Sequence, residues 1–163
     1  MDLRKFSLED LFLSAIKAET DSREAYSIMA GITRNAFLRD RLGFLADEEE
    51  KHRKLLESEF HRQIPGKGVK LPEVSPVPLP EIKAEEGMPI SELLSQAMKA
   101  EKAAYEFYTG FARYMRANRE FSLTLGYFAR MEEGHYDLLS KERDSAEQFE
   151  AFDDFNPGMH LGP

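Results

Sequence analysis

Cysteine is absent from all 163 residues of this chain. That excludes disulfides, thiolate metal sites and iron–sulfur clusters, so any metal chemistry must fall to carboxylates and imidazoles. A reducing, cytoplasmic location is the matching expectation. Long apolar runs are absent too: none approaches the ~18 residues a membrane span requires. Residues 1–6 also lack the charged-then-apolar pattern of a secretory signal. Basic charge is in short supply, with 22 Lys and Arg against 30 Asp and Glu, a formal net charge of −8. Nucleic acid and anionic membrane both call for clustered Lys and Arg, so neither is expected as a partner.

Helical periodicity is present in four segments. In the first, Leu8, Phe12, Ala15, Glu19, Ser22, Tyr26, Met29 and Thr33 alternate in steps of four and three, the spacing of one helix face. The third repeats this with Ile90, Leu94, Ala97, Glu101, Ala104, Tyr108, Phe111 and Met115. The second follows Leu38, Leu42, Leu45, Glu49, His52 and Leu56, and the fourth follows Phe121, Leu125, Phe128, Glu132, His135 and Leu139. Ser7 with Asp10 forms a capping-box pattern before the first helix, and Ser91 is the expected N-cap of the third. Between the second and third, residues 64–89 hold Pro65, Pro72, Pro76, Pro78, Pro80 and Pro89, a density no helix survives. At ~3.1 Å per residue such a segment can run the length of a ~40 Å helix.

The expected architecture is therefore one all-α domain over 1–163, a four-helix bundle of two helical hairpins. Its parts are a hairpin over 8–62, a proline-rich crossover over 63–90 and a second hairpin over 91–150. A non-helical tail follows over 151–163. The halves also read as an internal repeat. Lys17-Ala18-Glu19, Glu24 and Tyr26 align at an offset of 82 with Lys99-Ala100-Glu101, Glu106 and Tyr108. Leu42-Gly43, Ala46, Glu49-Glu50 and His52 align at an offset of 83 with Leu125-Gly126, Ala129, Glu132-Glu133 and His135.

Two Glu-x-x-His pairs, Glu49/His52 and Glu132/His135, stand in phase with the apolar stripes, and so do the single upstream residues Glu19 and Glu101. An ionised carboxylate in a dry interior costs several kcal/mol unless a cation or a proton compensates it. Four carboxylates would neutralise two divalent cations, and mixed oxygen and nitrogen ligation suits iron or manganese. Glu and His at i and i+3 lie about 60° apart around a helix and can address one metal centre, a pattern known in di-iron and di-manganese bundles. Tyr26 and Tyr108, seven residues beyond Glu19 and Glu101, are positioned to hydrogen-bond a ligand, to act as redox-active neighbours or to serve as core aromatics. Glu50 and Glu133 point about 100° away and are expected in solvent. Glu24 and Glu106 are expected at the surface or orienting a His, and His61 and His160 at the surface. A haem is not indicated.

On these residues the chain resembles the ferritin-like di-iron carboxylate proteins, in or near the rubrerythrin branch, over nearly all of residues 8–145. The resemblance implies two bridging carboxylates, Glu49 and Glu132, terminal carboxylates Glu19 and Glu101, and terminal imidazoles His52 and His135. It implies two iron ions, with manganese as the alternative, reacting with peroxide or dioxygen in an oxidoreductase. Rubrerythrins carry a further Glu three residues beyond the helix-three ligand, where this chain has Ala104, and commonly a cysteine-ligated rubredoxin iron site. Without cysteine, electrons are expected from a separate donor protein. Two readings of other classes stay open: iron handling as a ferroxidase with Fe(II) as substrate, and a metal-free helical interaction module. A homodimer is the expected assembly, with Phe37, Phe44, Phe107 and Tyr127 as candidate surface residues.

Overall fold

A computed structural model describes residues 2–83 and 87–155, without the side chains of 152–155. After a short 3-10 helix over Leu3–Lys5 come four helices: α1 (Leu8–Ile32), α2 (Ala36–Gln63), α3 (Ile90–Tyr114) and α4 (Arg119–Phe155). There is no strand among the described residues. The fold is an all-α four-helix bundle, with α1 packed chiefly on α2 and α3 on α4.

Local chemistry sets the helix ends. The Ser7 hydroxyl accepts from the Asp10 amide at 3.1 Å, and the Asp10 carboxylate accepts from the Ser7 amide at 3.0 Å, closing a capping box on α1. Thr33 is extended and ends α1, and the Asn35 side chain then accepts from the amides of Phe37 and Leu38 to start α2. Beyond α2, Gly66 supplies a positive φ of 84° that residues with a Cβ rarely adopt. Ser91 is not the N-cap of α3. Pro89 occupies that place with φ −56°, and its carbonyl accepts from the Leu93 amide at 3.2 Å. Ser91, inside the first turn, instead donates from its amide and hydroxyl to Glu150 of α4.

The fourth helix runs farther than the expected limit of 150. Residues 151–155 are helical, because no proline or glycine interrupts the chain between Gly134 and Pro157. The remainder of the expected tail, with His160, lies outside the described residues. Residues 64–89 hold no helix or strand where described. Ile64, Val69, Val77 and Leu79 pack on one core cluster, and Ile82 and Met88 on the other. The buried Val77 amide donates to the Ser14 hydroxyl of α1 at 3.0 Å.

Two apolar clusters fill the bundle. One is aromatic: Phe12 stacks on Phe121 at 5.4 Å between centroids and meets Phe60 and Phe111 edge-on. The other is aliphatic, including Met29, Leu42, Leu45, Leu94 and Leu139. Every helix carries its candidate ligands between the stretches that build these two clusters. Phe107 is 1% exposed within the aromatic cluster, which corrects its expected place at the surface; a bundle helix buries an arc wider than a single stripe. Phe37, Phe44 and Tyr127 are exposed.

Candidate metal centre

Each helix contributes at one level: Glu19 from α1, Glu49 and His52 from α2, Glu101 from α3, Glu132 and His135 from α4. All six are buried, none more than 5% exposed. Their side chains gather in two overlapping groups. Glu19, Glu49, His52 and Glu132 form one; Glu49, Glu101, Glu132 and His135 form the other. Within each group one ligand atom per residue lies within 4.8 Å of every other. Glu49 and Glu132 belong to both groups.

The imidazoles face inward through Nδ1. His52 Nδ1 lies 3.4 Å from Glu19 Oε2, 3.3 Å from Glu49 Oε2 and 3.2 Å from Glu132 Oε1. His135 Nδ1 lies 3.3 Å from Glu49 Oε1, 3.8 Å from Glu101 Oε2 and 3.1 Å from Glu132 Oε2. Three of these buried atoms, Glu49 Oε1, His52 Nδ1 and Glu132 Oε1, lack an aligned hydrogen-bond partner despite that crowding. Buried polar atoms left this way each cost about 1–3 kcal/mol. Close approach without mutual alignment is what ligands aimed at a common cation look like. The set is oxygen-rich with two nitrogens, so the residues fit a pair of divalent ions of the iron or manganese kind.

The electrostatics of the metal-free centre follow from burial and crowding. Burial pushes the carboxyls of Glu19 and Glu101 well above the usual range, and the charge on Glu49 pushes them further. Burial opposes ionisation of Glu49 and Glu132 as well, but there the flanking imidazoles win and hold both carboxylates below the usual value. For His52, burial works against the charged ring, yet Glu132, Glu19 and Glu49 outweigh it and raise its pKa to about 12. His135 moves the same way, with Glu101, Glu132 and Glu49 overcoming burial. The crowding thus favours charge on the two imidazoles and on Glu49 and Glu132, and disfavours it on Glu19 and Glu101.

Around the ligands, Tyr26 of α1 donates to Glu101 of α3, and Tyr108 of α3 donates to Glu19 of α1. Both phenols are fully buried, and burial together with the adjacent carboxylate keeps each protonated far above its usual value. Both hydroxyls thus reach carboxyls of the candidate ligand set. Phe128 stacks on His52 at 4.2 Å, and Met131 Sδ lies 3.4 Å from His52 Nε2, on the side away from the carboxylates. Neither contact is legible in the sequence: Phe128 lies in the apolar stripe like any packing residue, and Met131 carries no signal beyond adjacency to Glu132. Glu50 is half-buried among ion pairs with Arg53, Lys54 and Arg23, because those cations draw it back onto the helix surface. Glu133, Glu24, Glu106 and His61 are exposed.

Comparison with known proteins agrees with this geometry. A family model described as rubrerythrin matches residues 10–143. A solved structure of a hypothetical protein from Pyrococcus furiosus is 34% identical, covering 91% of this chain and 98% of its own, with a TM-score of 0.80. No curated protein matches.

Proposed function

The chain belongs to the rubrerythrin family, and from that premise we propose that it is a di-iron carboxylate oxidoreductase reducing peroxide or dioxygen. Manganese is the alternative metal. The observation that carries this reading is the pair of buried ligand groups sharing Glu49 and Glu132, with unaligned polar atoms facing their common centre. In it, Glu19 and His52 would hold one ion and Glu101 and His135 the other, with Glu49 and Glu132 available to both. When bound, the metal pair supplies the electrons that pass to the oxidant. The chain's own residues do the remaining work. Tyr26 and Tyr108 fix the outer carboxylates, the stacked Phe128 fixes one imidazole, and the aromatic and aliphatic clusters keep bulk water out. Electrons are proposed to come from a separate protein, since no cysteine is available for a second iron site.

The deciding measurement is metal content and oxidant reactivity of protein purified without chelators. About two ions per chain are expected, with a rapid absorbance change when the Fe(II)-loaded chain meets hydrogen peroxide. Glu49→Ala and Glu132→Ala should each abolish that change; full reactivity in both variants would sink the reading. Uptake of Fe(II) far beyond two per chain, held as mineral, would move the function to iron storage instead. A homodimer belongs to the same proposal and rests on the exposed Phe37, Phe44 and Tyr127. Light scattering that gave the 18.7 kDa mass of one chain would remove it.

A further inference from the structure

A cavity of about 270 Å3 opens between α3 and α4, lined by Lys102, Tyr105, Glu132, Glu133 and Tyr136. Glu132 is one of the two carboxylates common to both ligand groups, so the cavity abuts the centre itself. Its volume is several times the ~30 Å3 share of a water molecule and below the range of most substrate pockets. It admits a molecule of the size of hydrogen peroxide with room to spare. Two phenols, one ammonium and the exposed Glu133 carboxylate offer hydrogen bonds at its mouth, with Glu132 at its inner end.

The internal repeat supplies a built-in comparison. At offsets of 82 and 83, Tyr105 corresponds to Arg23, Glu132 to Glu49, Glu133 to Glu50 and Tyr136 to Arg53. On the α1–α2 face those positions are tied together. Glu50 Oε2 lies 2.8 Å from Arg53 Nε and 3.6 Å from Arg23 Nε, and Lys54 Nζ lies 3.2 Å from Glu50 Oε1. Cations from both helices thus clasp the Glu50 carboxylate. On the α3–α4 face tyrosines stand at both arginine positions, and Glu133 is exposed with no ion pair among the described residues. At equivalent positions of the repeat, one face carries cross-linked ion pairs next to a shared carboxylate in sequence, and the other carries tyrosines and a cavity.

We propose that the cavity beside Glu132 is the port by which a small uncharged oxidant reaches the centre, with Tyr105 and Tyr136 as its gate. This rests on the di-metal reading of the site. Glu132 itself is only 1% exposed, so the inner end is closed at rest, and passage needs the tyrosine side chains to swing.

A port governs rates and not equilibrium, which separates it from damage to the ligands. The probe is nitric oxide, small and neutral, binding to the Fe(II)-loaded full chain under anaerobic stopped flow. Tyr105→Arg/Tyr136→Arg places two arginines around Glu133 as Arg23 and Arg53 surround Glu50. It should slow association and dissociation alike, by about tenfold, with Kd unchanged. Tyr105→Ala/Tyr136→Ala should speed both, again at constant Kd. The rate of oxidation by hydrogen peroxide should move in parallel. If both variants bind nitric oxide at wild-type rates, the port is wrong while the centre stands. If only the alanine variant folds, its rates alone decide. Should the wild-type chain take up no Fe(II), the centre falls and the port with it.

Discussion

Tyr26 and Tyr108 show how much a single hydroxyl does in this interior. Each phenol comes from the helix opposite its carboxylate, so α1 and α3 are bonded reciprocally through the ligand layer. Removing either oxygen leaves a buried carboxyl without its donor, which costs about 1–3 kcal/mol. It also frees a ligand to rotate, and loss of such outer contacts typically weakens metal binding 10–100-fold. Tyr26→Phe and Tyr108→Phe should therefore lower stability in urea and release metal to a competing chelator more readily. Variants matching wild type in both assays would show that the hydroxyls only pack. The seven-residue spacing made these tyrosines candidates. It could not say which carboxylate each would reach, because that depends on how α1 and α3 lie against one another. The six buried Glu and His positions were legible because charge in phase with an apolar stripe has few stable explanations. Met131 was not, since a thioether beside an imidazole leaves no trace in periodicity.

At the scale of elements, the helices are held by packing at both ends of the polar layer. Phe12 is fully buried and touches Phe60 of α2, Phe111 of α3 and Phe121 of α4, so one ring joins all four helices. Phe12→Ala should cost about 3–5 kcal/mol, the range for deleting a large buried aromatic. A loss below about 1 kcal/mol in chemical denaturation would mean that the cluster collapses onto the gap. Helix starts at Ser7 and Asn35 could be read from their caps, since the relevant hydrogen bonds are local. The N-cap of α3 at Pro89 depends on a contact that is not local. Ser91 has the right chemistry for a cap, but Glu150, distant in sequence, takes both of its donors.

The whole molecule couples metal, protons and folding. Above the free-histidine value of 6.5, the raised pKa of His52 and His135 means that the folded metal-free chain holds protons the unfolded chain has lost. The raised Glu19 and Glu101 act in the same direction above the free-carboxyl value of 4.5. Their contribution is complete below those values and is lost as pH rises toward the folded ones, near 12 for His52. The lowered Glu49 and Glu132 contribute stability above 4.5 and have no further dependence at neutral pH. Metal-free protein should thus unfold more easily at pH 9 than at pH 6.5. Metal binding requires the protons to leave and should strengthen with pH. Fe(II) or Mn(II) at about 100 times Kd should add about 2.7 kcal/mol. Melting curves with and without chelator at both pH values test this, and equal shifts at the two would refute the proton exchange.

Six buried Glu and His positions, four helices and two matching halves were determined by the sequence alone. Periodicity and burial are local consequences of residue order, and a buried carboxylate needs compensation wherever it lies. Only the tertiary structure decided which tyrosine serves which carboxylate, that Phe107 is core, and how Glu49 and Glu132 come to belong to both groups. It also showed that the two faces of the repeat differ, one clasped by arginines and the other bordered by tyrosines. These outcomes depend on distances between helices, and sequence spacing does not encode those distances.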